Sequence, residues 1–275
     1  MGTHYQSKNW PYTSKLCIND RVALSARQSI EFFHLVFLRA LVAKGEDKTL
    51  VALKGGCNLR FYFDSVRYSE DIDFDVSVMA RNTLKNKVDR LLRSPPVLAP
   101  LKSKGIELTT ASAPKQTDTT QRWKLGLRAE GLSVPLRTKL EFSRRDAIDG
   151  TVFEAIRSDV LRPYGLTPML AHHYAAHAAI IQKIHALAGR AEPQARDVFD
   201  LSLLMARPEA ASVKLSRAQE SWVSAAIERA MSISYDAYHA QVVAYLDPEQ
   251  VALYEDRATW DHMQATVIAR LERLL

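Results

Sequence analysis

Leu53 to Val76 reads LKGGCNLRFYFDSVRYSEDIDFDV. Asp71, Asp73 and Asp75 alternate with Ile72, Phe74 and Val76, so in an extended strand the acids share one face and the apolar residues the other. Acids two apart on a strand lie about 7 Å apart at Cα, close enough for Asp71 and Asp73 to converge on one cation or a close pair. An oxygen-only donor set suits Mg²⁺, which keeps positions open for water and phosphate. Two such ions can clamp the attacking and departing oxygens of a phosphoryl transfer. Glu141, in VPLRTKLEFS, alternates onto the open face of its own strand and is the candidate third carboxylate. Gly55 and Gly56 allow close backbone approach and positive φ, and amides at the start of a following helix can cradle phosphate oxygens. No Gly-Lys-Ser/Thr follows, so this is not a Walker A loop. An isolated D-x-D is equally an exposed acidic strand face. The Gly-Gly turn at this distance, with Arg and Ser between, is what favours a metal and phosphate site.

The elements that must hold these residues follow from periodicity. Residues 21–43 form a buried amphipathic helix stopped at Gly45. TLVALK (49–54) is a strand, NLRFYF (58–63) a short helix behind the Gly-Gly turn, and DIDFDVSV (71–78) a half-buried strand whose apolar face runs from Ile72 to Val78. RNTLKNKVDRLLRS (81–94) is a basic helix ended by Pro95-Pro96. GIELTTAS, RWKLGLRAE and VPLRTKLEFS are three strands. Thr167-Pro168 caps a helix over 168–188, and helices follow over 193–206, 215–232 and 258–274. The chain is therefore α+β up to about residue 160 and helical over 161–275.

The 275 residues are 47% hydrophobic and 25% charged, a composition able to bury a core. Cys17 and Cys57 have no metal spacing and cannot build a disulfide framework, which points to a reducing cytoplasm. The start, MGTHYQSKNW, lacks the apolar region of a signal peptide, and no run approaches the ~18 apolar residues of a membrane span. Charge is uneven. Between Arg81 and Arg145 stand 15 basic and five acidic side chains, a net +10, in a chain whose total is +6. Such concentration is the footprint of a polyanion binder, or else a solvated basic surface.

LKGGCNLRF and RYSEDIDFDV together resemble the signature of the AbiEii-type nucleotidyltransferases, the toxins of AbiE and MenT toxin–antitoxin systems, within the DNA-polymerase-β-like superfamily. The resemblance spans roughly residues 49–205. It matches the family's glycine turn to Gly55-Gly56, its paired metal-binding acids to Asp71 and Asp73, and the serine before them to Ser69. The family's later lysine and acid match Lys183 and Asp197 in IIQKIHALAGRAEPQARDVFDL. Cys57 departs from the Thr or Ser more usual there, and a thiol is a poor donor. The resemblance implies a polymerase-β-like core, a mixed sheet with flanking helices, over 1–160 and a helical domain over 161–275. It implies Mg²⁺-dependent transfer of a nucleotide from an NTP, with pyrophosphate release, to the 3′ end of tRNA. Mn²⁺ is a substitute metal. Asp71 and Asp73 would hold the metal, and Glu141 would take the hydroxyl proton or share a second ion. Lys183 would neutralise triphosphate charge, and Asp197 would hold Lys183. Arg60 and Arg67 lie within the motif, where each can meet phosphate or a structural acid. A separate antitoxin protein is implied as partner, with direct binding left open.

Other residues read more plainly. His173 and His177, four apart with His172 alongside, have zinc spacing on a helix but lack the H-E-x-x-H glutamate, and are read as packed or surface residues. Trp222, Trp260 and the tyrosines between 235 and 254 are read as core. Asp200 is read as a cap or ion-pair partner. Three other functions are compatible with the chain: nucleotide transfer to a protein hydroxyl, a non-catalytic RNA- or partner-binding module, and a metal-dependent nuclease. The basic window favours RNA over a protein target.

Overall fold

The computed structural model describes residues 23–43 and 49–275. Cys17 and the glycine stop at Gly45 lie outside the described residues. Seven strands form one mixed sheet in the order β3 (Ile106–Gln116), β4 (Thr120–Ala129), β5 (Leu136–Arg144), β2 (Ile72–Val76), β1 (Val51–Lys54), β7 (Leu170–Tyr174) and β6 (Thr151–Ala155). The β2–β5 and β1–β7 pairs are parallel, and the other pairs antiparallel. This is the mixed sheet with flanking helices expected of a polymerase-β-like core.

The period-two pattern decides which sheet face is buried. Ile72, Phe74 and Val76 are fully buried with Leu140, Phe142 and Trp123 from β5 and β4. Phe74 stacks on Phe142 at 4.9 Å and meets Phe37 of α1 (Ala26–Leu41) at 6.4 Å. Ser25 caps α1 in a capping box with Gln28, so the helix starts where its apolar stripe begins. The basic helix α3 (Arg81–Leu91) lies on this same face, because its Asp89 accepts a 2.8 Å bond from the Trp123 indole. α4 (Pro95–Ser103) packs between α1 and β3. The acid-bearing face is left for the helical part of the chain: α6 (Ala176–Gly189), α7 (Ala195–Met205), α8 (Arg217–Ser232) and α11 (Arg257–Glu272) pack on one another. Trp260 and Tyr238 are buried in that layer, stacked at 4.6 Å, and Trp222 is half-buried, as core readings require.

Several elements differ from expectation. Val78 does not extend the apolar face of β2: it lies beyond the strand at φ +60° and is 85% exposed. Pro95-Pro96 opens α4 rather than closing a helix, as prolines at the first helical positions can. Gly55 and Gly56 form the first turn of α2 (Gly55–Tyr62), not a loop ahead of it. The helix over 168–188 is replaced by β7 followed by α6, and β6 pairs with β7. His172 and His173 thus sit on a strand and His177 on a helix, which removes the helical zinc spacing. His173 is buried, stacked on Tyr62 at 3.5 Å and bonded to Asn58 at 2.8 Å. Pairing on both sides outweighs the local helical pattern.

Candidate active site

Four strands set one row of charges. The registers Lys54↔Asp73, Asp73↔Glu141 and Glu141↔Arg122 place these residues side by side across β1, β2, β5 and β4. One rung along, Lys139 stands opposite Lys124, and the Lys139 ammonium lies 2.7 Å from Asp71, just ahead of β2. All occupy the face opposite Phe74 and Phe142. Lys54, Asp71, Asp73, Arg122, Lys139 and Glu141 floor a cleft of about 570 Å³ whose walls include Gly55, Gly56, Ser69 and Lys183.

The acids are not equivalent. Burial pushes the Asp73 carboxyl up to about 6, with Asp71 and Glu141 adding repulsion and Lys54 opposing them. Glu141 accepts from Arg122 at 2.7 Å. Asp75 is saturated: it accepts from the Tyr174 hydroxyl at 2.6 Å and from Lys54 at 2.5 Å, with Arg145 at 3.4 Å. Among the described residues no three acidic, histidine or cysteine side chains converge as they stand into a metal cluster. The donor set nevertheless fits a hard divalent cation. Asp71, Asp73 and Glu141 are like charges in mutual repulsion, neutralised by Lys139 and Arg122 side chains long enough to withdraw. Asp71, Asp73 and Glu141 would hold such an ion.

The glycine pair is fitted to these acids. Gly55 has φ +68°, and a Cβ there would stand 2.9 Å from Asp73 Oδ2. A Cβ on Gly56 would stand 2.8 Å from Ser69 Oγ. Ser69 donates to the Asp71 carbonyl at 2.8 Å, and the Cys57 thiol approaches the same oxygen at 3.3 Å. Both pin the chain entering β2. Cys57 itself is buried beneath the cleft against His34, and burial raises its thiol well above the ordinary range.

The opposite wall is a chain of ion pairs. Lys183 on α6 donates to Asp197 at 2.9 Å and lies 2.6 Å from Asp200, both on α7. Arg67 donates to Asp200 at 3.2 Å, and Arg190 to Asp197 at 2.7 Å. Burial alone would depress the Lys183 ammonium, but Asp197 and Asp200 outweigh it and raise it. Burial likewise opposes the charge on Asp197, yet Lys183 and Arg190 hold its carboxyl below the ordinary value.

Most of the expected site residues therefore meet in one place: Asp71, Asp73, Glu141, Gly55, Gly56, Ser69 and Lys183 line the cleft, with Asp197 behind Lys183. Arg60 does not. Its guanidinium is bonded to Glu31 at 2.7 Å and sits over Tyr68 rather than lining the cleft, so of the two readings of Arg60, phosphate or a structural acid, the acid is the partner found. Arg190 and Lys54 carry no signal in the sequence analysis, and Asp200, read there as a cap or ion-pair partner, pairs with Arg67 and Lys183 in the cleft wall. The signal for Asp200 was present in RDVFDL: two acids three apart on an otherwise apolar helix, both fully buried.

The sequence model of the "Nucleotidyl transferase AbiEii toxin, Type IV TA system" family matches residues 36–272. No curated protein matches the chain in sequence. Among solved structures, JHP933 from Helicobacter pylori superposes with TM-score 0.55 and 21% identity over 91% of this chain and 95% of its own. MenT4, a nucleotidyltransferase toxin from Mycobacterium tuberculosis, superposes with TM-score 0.56 and 16% identity over 91% and 85%. At these identities the superpositions establish the fold, and the match across nearly the whole chain establishes the family: this protein belongs to the AbiEii nucleotidyltransferase toxins of type IV toxin–antitoxin systems.

Proposed function

We propose that this nucleotidyltransferase moves a nucleotide from an NTP to the 3′ end of tRNA, releasing pyrophosphate, and so blocks translation. The observation that carries this reading is the single cleft in which the Asp71, Asp73 and Glu141 carboxylates face the Gly55-Gly56 helix start and Lys183. Mg²⁺, or Mn²⁺ in its place, held by Asp71, Asp73 and Glu141, would supply charge neutralisation at the reacting phosphate. The amides of Gly55 and Gly56 cradle phosphate oxygens, and Lys183 meets the triphosphate as a point cation. The terminal hydroxyl oxygen bonds to the α-phosphorus as the bond to the bridging oxygen breaks, and the electron pair leaves on pyrophosphate. The hydroxyl proton passes to Glu141 once Arg122 swings aside. Residues up to about 160 supply the acids and the glycine pair. Residues 161–275 supply Lys183 and Asp197, with β7 the strand that part lends to the sheet.

RNA is favoured by the surface leading out of the cleft. The open faces of β4 and β5 carry Arg122, Lys124, Arg128, Arg137 and Lys139 by register, and Lys124, Arg128 and Arg137 are exposed. The family implies a separate antitoxin and a cytoplasmic setting. Among the described residues no helix is long and apolar enough to cross a membrane. Incubation with labelled NTPs, bulk tRNA and Mg²⁺ tests the reading. Labelled RNA supports it, and labelled protein would move the acceptor to a protein hydroxyl. Shortened RNA would indicate a nuclease, and an unlabelled mixture a binding module.

A further inference from the structure

The ion pairs on the helical wall run in one line, Arg67–Asp200–Lys183–Asp197–Arg190, with N–O distances of 3.2, 2.6, 2.9 and 2.7 Å. Two features make this more than a structural network. First, both acids are fully buried while all three cations line the cleft. The acids are behind, and the cations in front. Second, the line has three positive groups against two negative, so it keeps a net positive charge facing the cavity. Asp197 and Asp200 both lie on α7, three residues apart, with Asp197 in the first turn, where the positive end of the helix adds to the fixing of the carboxylates. Each acid is shared between two cations, so neither is free to neutralise one completely.

The line also spans the cleft. Arg67 comes from the loop before β2, beside the glycine pair: its terminal nitrogen would stand 3.3 Å from a Cβ on Gly56. Its Nε is buried without a hydrogen-bond partner among the described residues. Arg190, one residue past α6, is the most open of the three, with its side chain 39% exposed against 12% for Lys183 and 6% for Arg67. The cations are thus graded from the deep end, at the amides of α2, to the cleft mouth. A nucleoside monophosphate needs no such extent. A chain of phosphates does.

Resting on the reading of this cleft as the NTP site, we propose that Arg67 and Arg190 act with Lys183 as a three-cation arc for the β- and γ-phosphates of the nucleotide. Asp200, with Asp197, is the positioning residue that aims the arc. Guanidinium groups at the two ends can make paired contacts to phosphate that the central ammonium cannot. The arc makes the enzyme selective for a triphosphate over a diphosphate, and gives released pyrophosphate a place to linger.

The probe is inorganic tripolyphosphate, titrated calorimetrically into the full-length protein beside pyrophosphate, with steady-state transfer measured in parallel. Arg190→Gln, at the open end, should weaken tripolyphosphate by at least about tenfold, the worth of one charge-assisted hydrogen bond. Its KM for NTP should rise similarly, and pyrophosphate, which is the β- and γ-phosphates set free, should weaken with it. Arg67→Lys, which keeps the charge and loses the fork, should raise KM and lower kcat together. Asp200→Asn should show the opposite split: tripolyphosphate affinity held or tightened, because a negative charge is gone, while kcat falls because Arg67 and Lys183 are no longer aimed. Should Asp200→Asn fail to fold, Arg190→Gln decides alone. Unchanged tripolyphosphate affinity and KM in Arg190→Gln, in an enzyme whose parent transfers nucleotide, overturns the arc and leaves the NTP site standing. A parent that neither binds tripolyphosphate nor transfers nucleotide overturns the site reading, and the arc with it.

Discussion

Asp73 is where the electrostatics of the cleft are most strained. Burial and the neighbouring Asp71 and Glu141 carboxylates push it up to about 6 against the pull of Lys54. Without another cation it spends part of its time protonated near neutral pH, and a divalent ion would restore its charge. Asp75, two residues on, is already satisfied by Lys54 and Tyr174. The alternation in DIDFD treats its three acids alike; partners distant along the chain, Lys54 and Tyr174, the latter 99 residues away, set Asp75 apart. The expected outcomes diverge accordingly. Asp71→Asn and Asp73→Asn should abolish transfer with the melting temperature nearly unchanged, since on the proposed reading each would remove an oxygen ligand from a site with few. Asp75→Asn should cost about 1–3 kcal/mol of stability, because it leaves a buried donor unmatched. Parallel activity and thermal-melt measurements on the three variants check this. Near-normal transfer in Asp73→Asn would remove it from the metal site.

At the level of elements, the junction of β1 and α2 does the positioning. A strand delivers Lys54, the chain turns at Gly55 with φ +68°, and α2 begins at once against Asp73. Gly55→Ala puts a side chain into the left-handed region, a cost of about 1–2 kcal/mol, and forces Asp73 to move. Transfer should fall far more than stability. A variant that keeps wild-type turnover would show that the glycine is needed only for the turn. This junction was legible because glycine pairs and D-x-D alternation are local signals. So were the strands β4 and β5 and the helices α7 and α8, each with its own period. β7 was not. LAHHY has no strict alternation, and Thr167-Pro168 imitates a helix start; only its partners β1 and β6 make it a strand. α4 was missed for a related reason: Pro95-Pro96 reads as the end of a helix, whereas in the fold it opens the next one.

For the whole molecule, the excess of charge between Arg81 and Arg145 was legible in the sequence, but its distribution in space was not. A continuous stretch of charge in the sequence suggests a single basic surface, with Arg90 and Arg93 on the basic helix and Lys124 and Arg137 on the strands that follow it. The fold divides it. α3 packs on the face of Trp123 and Phe142, behind the sheet, whereas Lys124, Arg137 and Lys139 project from the face that carries Asp73 and Glu141. Which side of a sheet a helix takes is set by the crossover between strands, and no residue in the helix itself records it. An RNA whose 3′ end enters the cleft runs over the strand face first. Phosphate contacts release counterions, so log affinity should fall linearly with log salt, by about 0.7–0.9 per phosphate neutralised. Lys124→Glu combined with Arg137→Glu should weaken tRNA binding and flatten that slope. Arg90→Glu with Arg93→Glu, an equal change of charge on the opposite side, should alter it little. Both variants should keep their KM for NTP, because the proposed triphosphate site, formed by Gly55, Gly56 and the cations of the helical wall, includes none of these four residues. The decisive comparison is a salt titration of tRNA affinity for the parent and the two double variants. If the helix variant loses the slope and the strand variant retains it, the RNA lies behind the sheet and reaches the acids around its edge. If both retain it, the acceptor is a protein hydroxyl, and the basic faces serve a partner that carries no phosphate backbone.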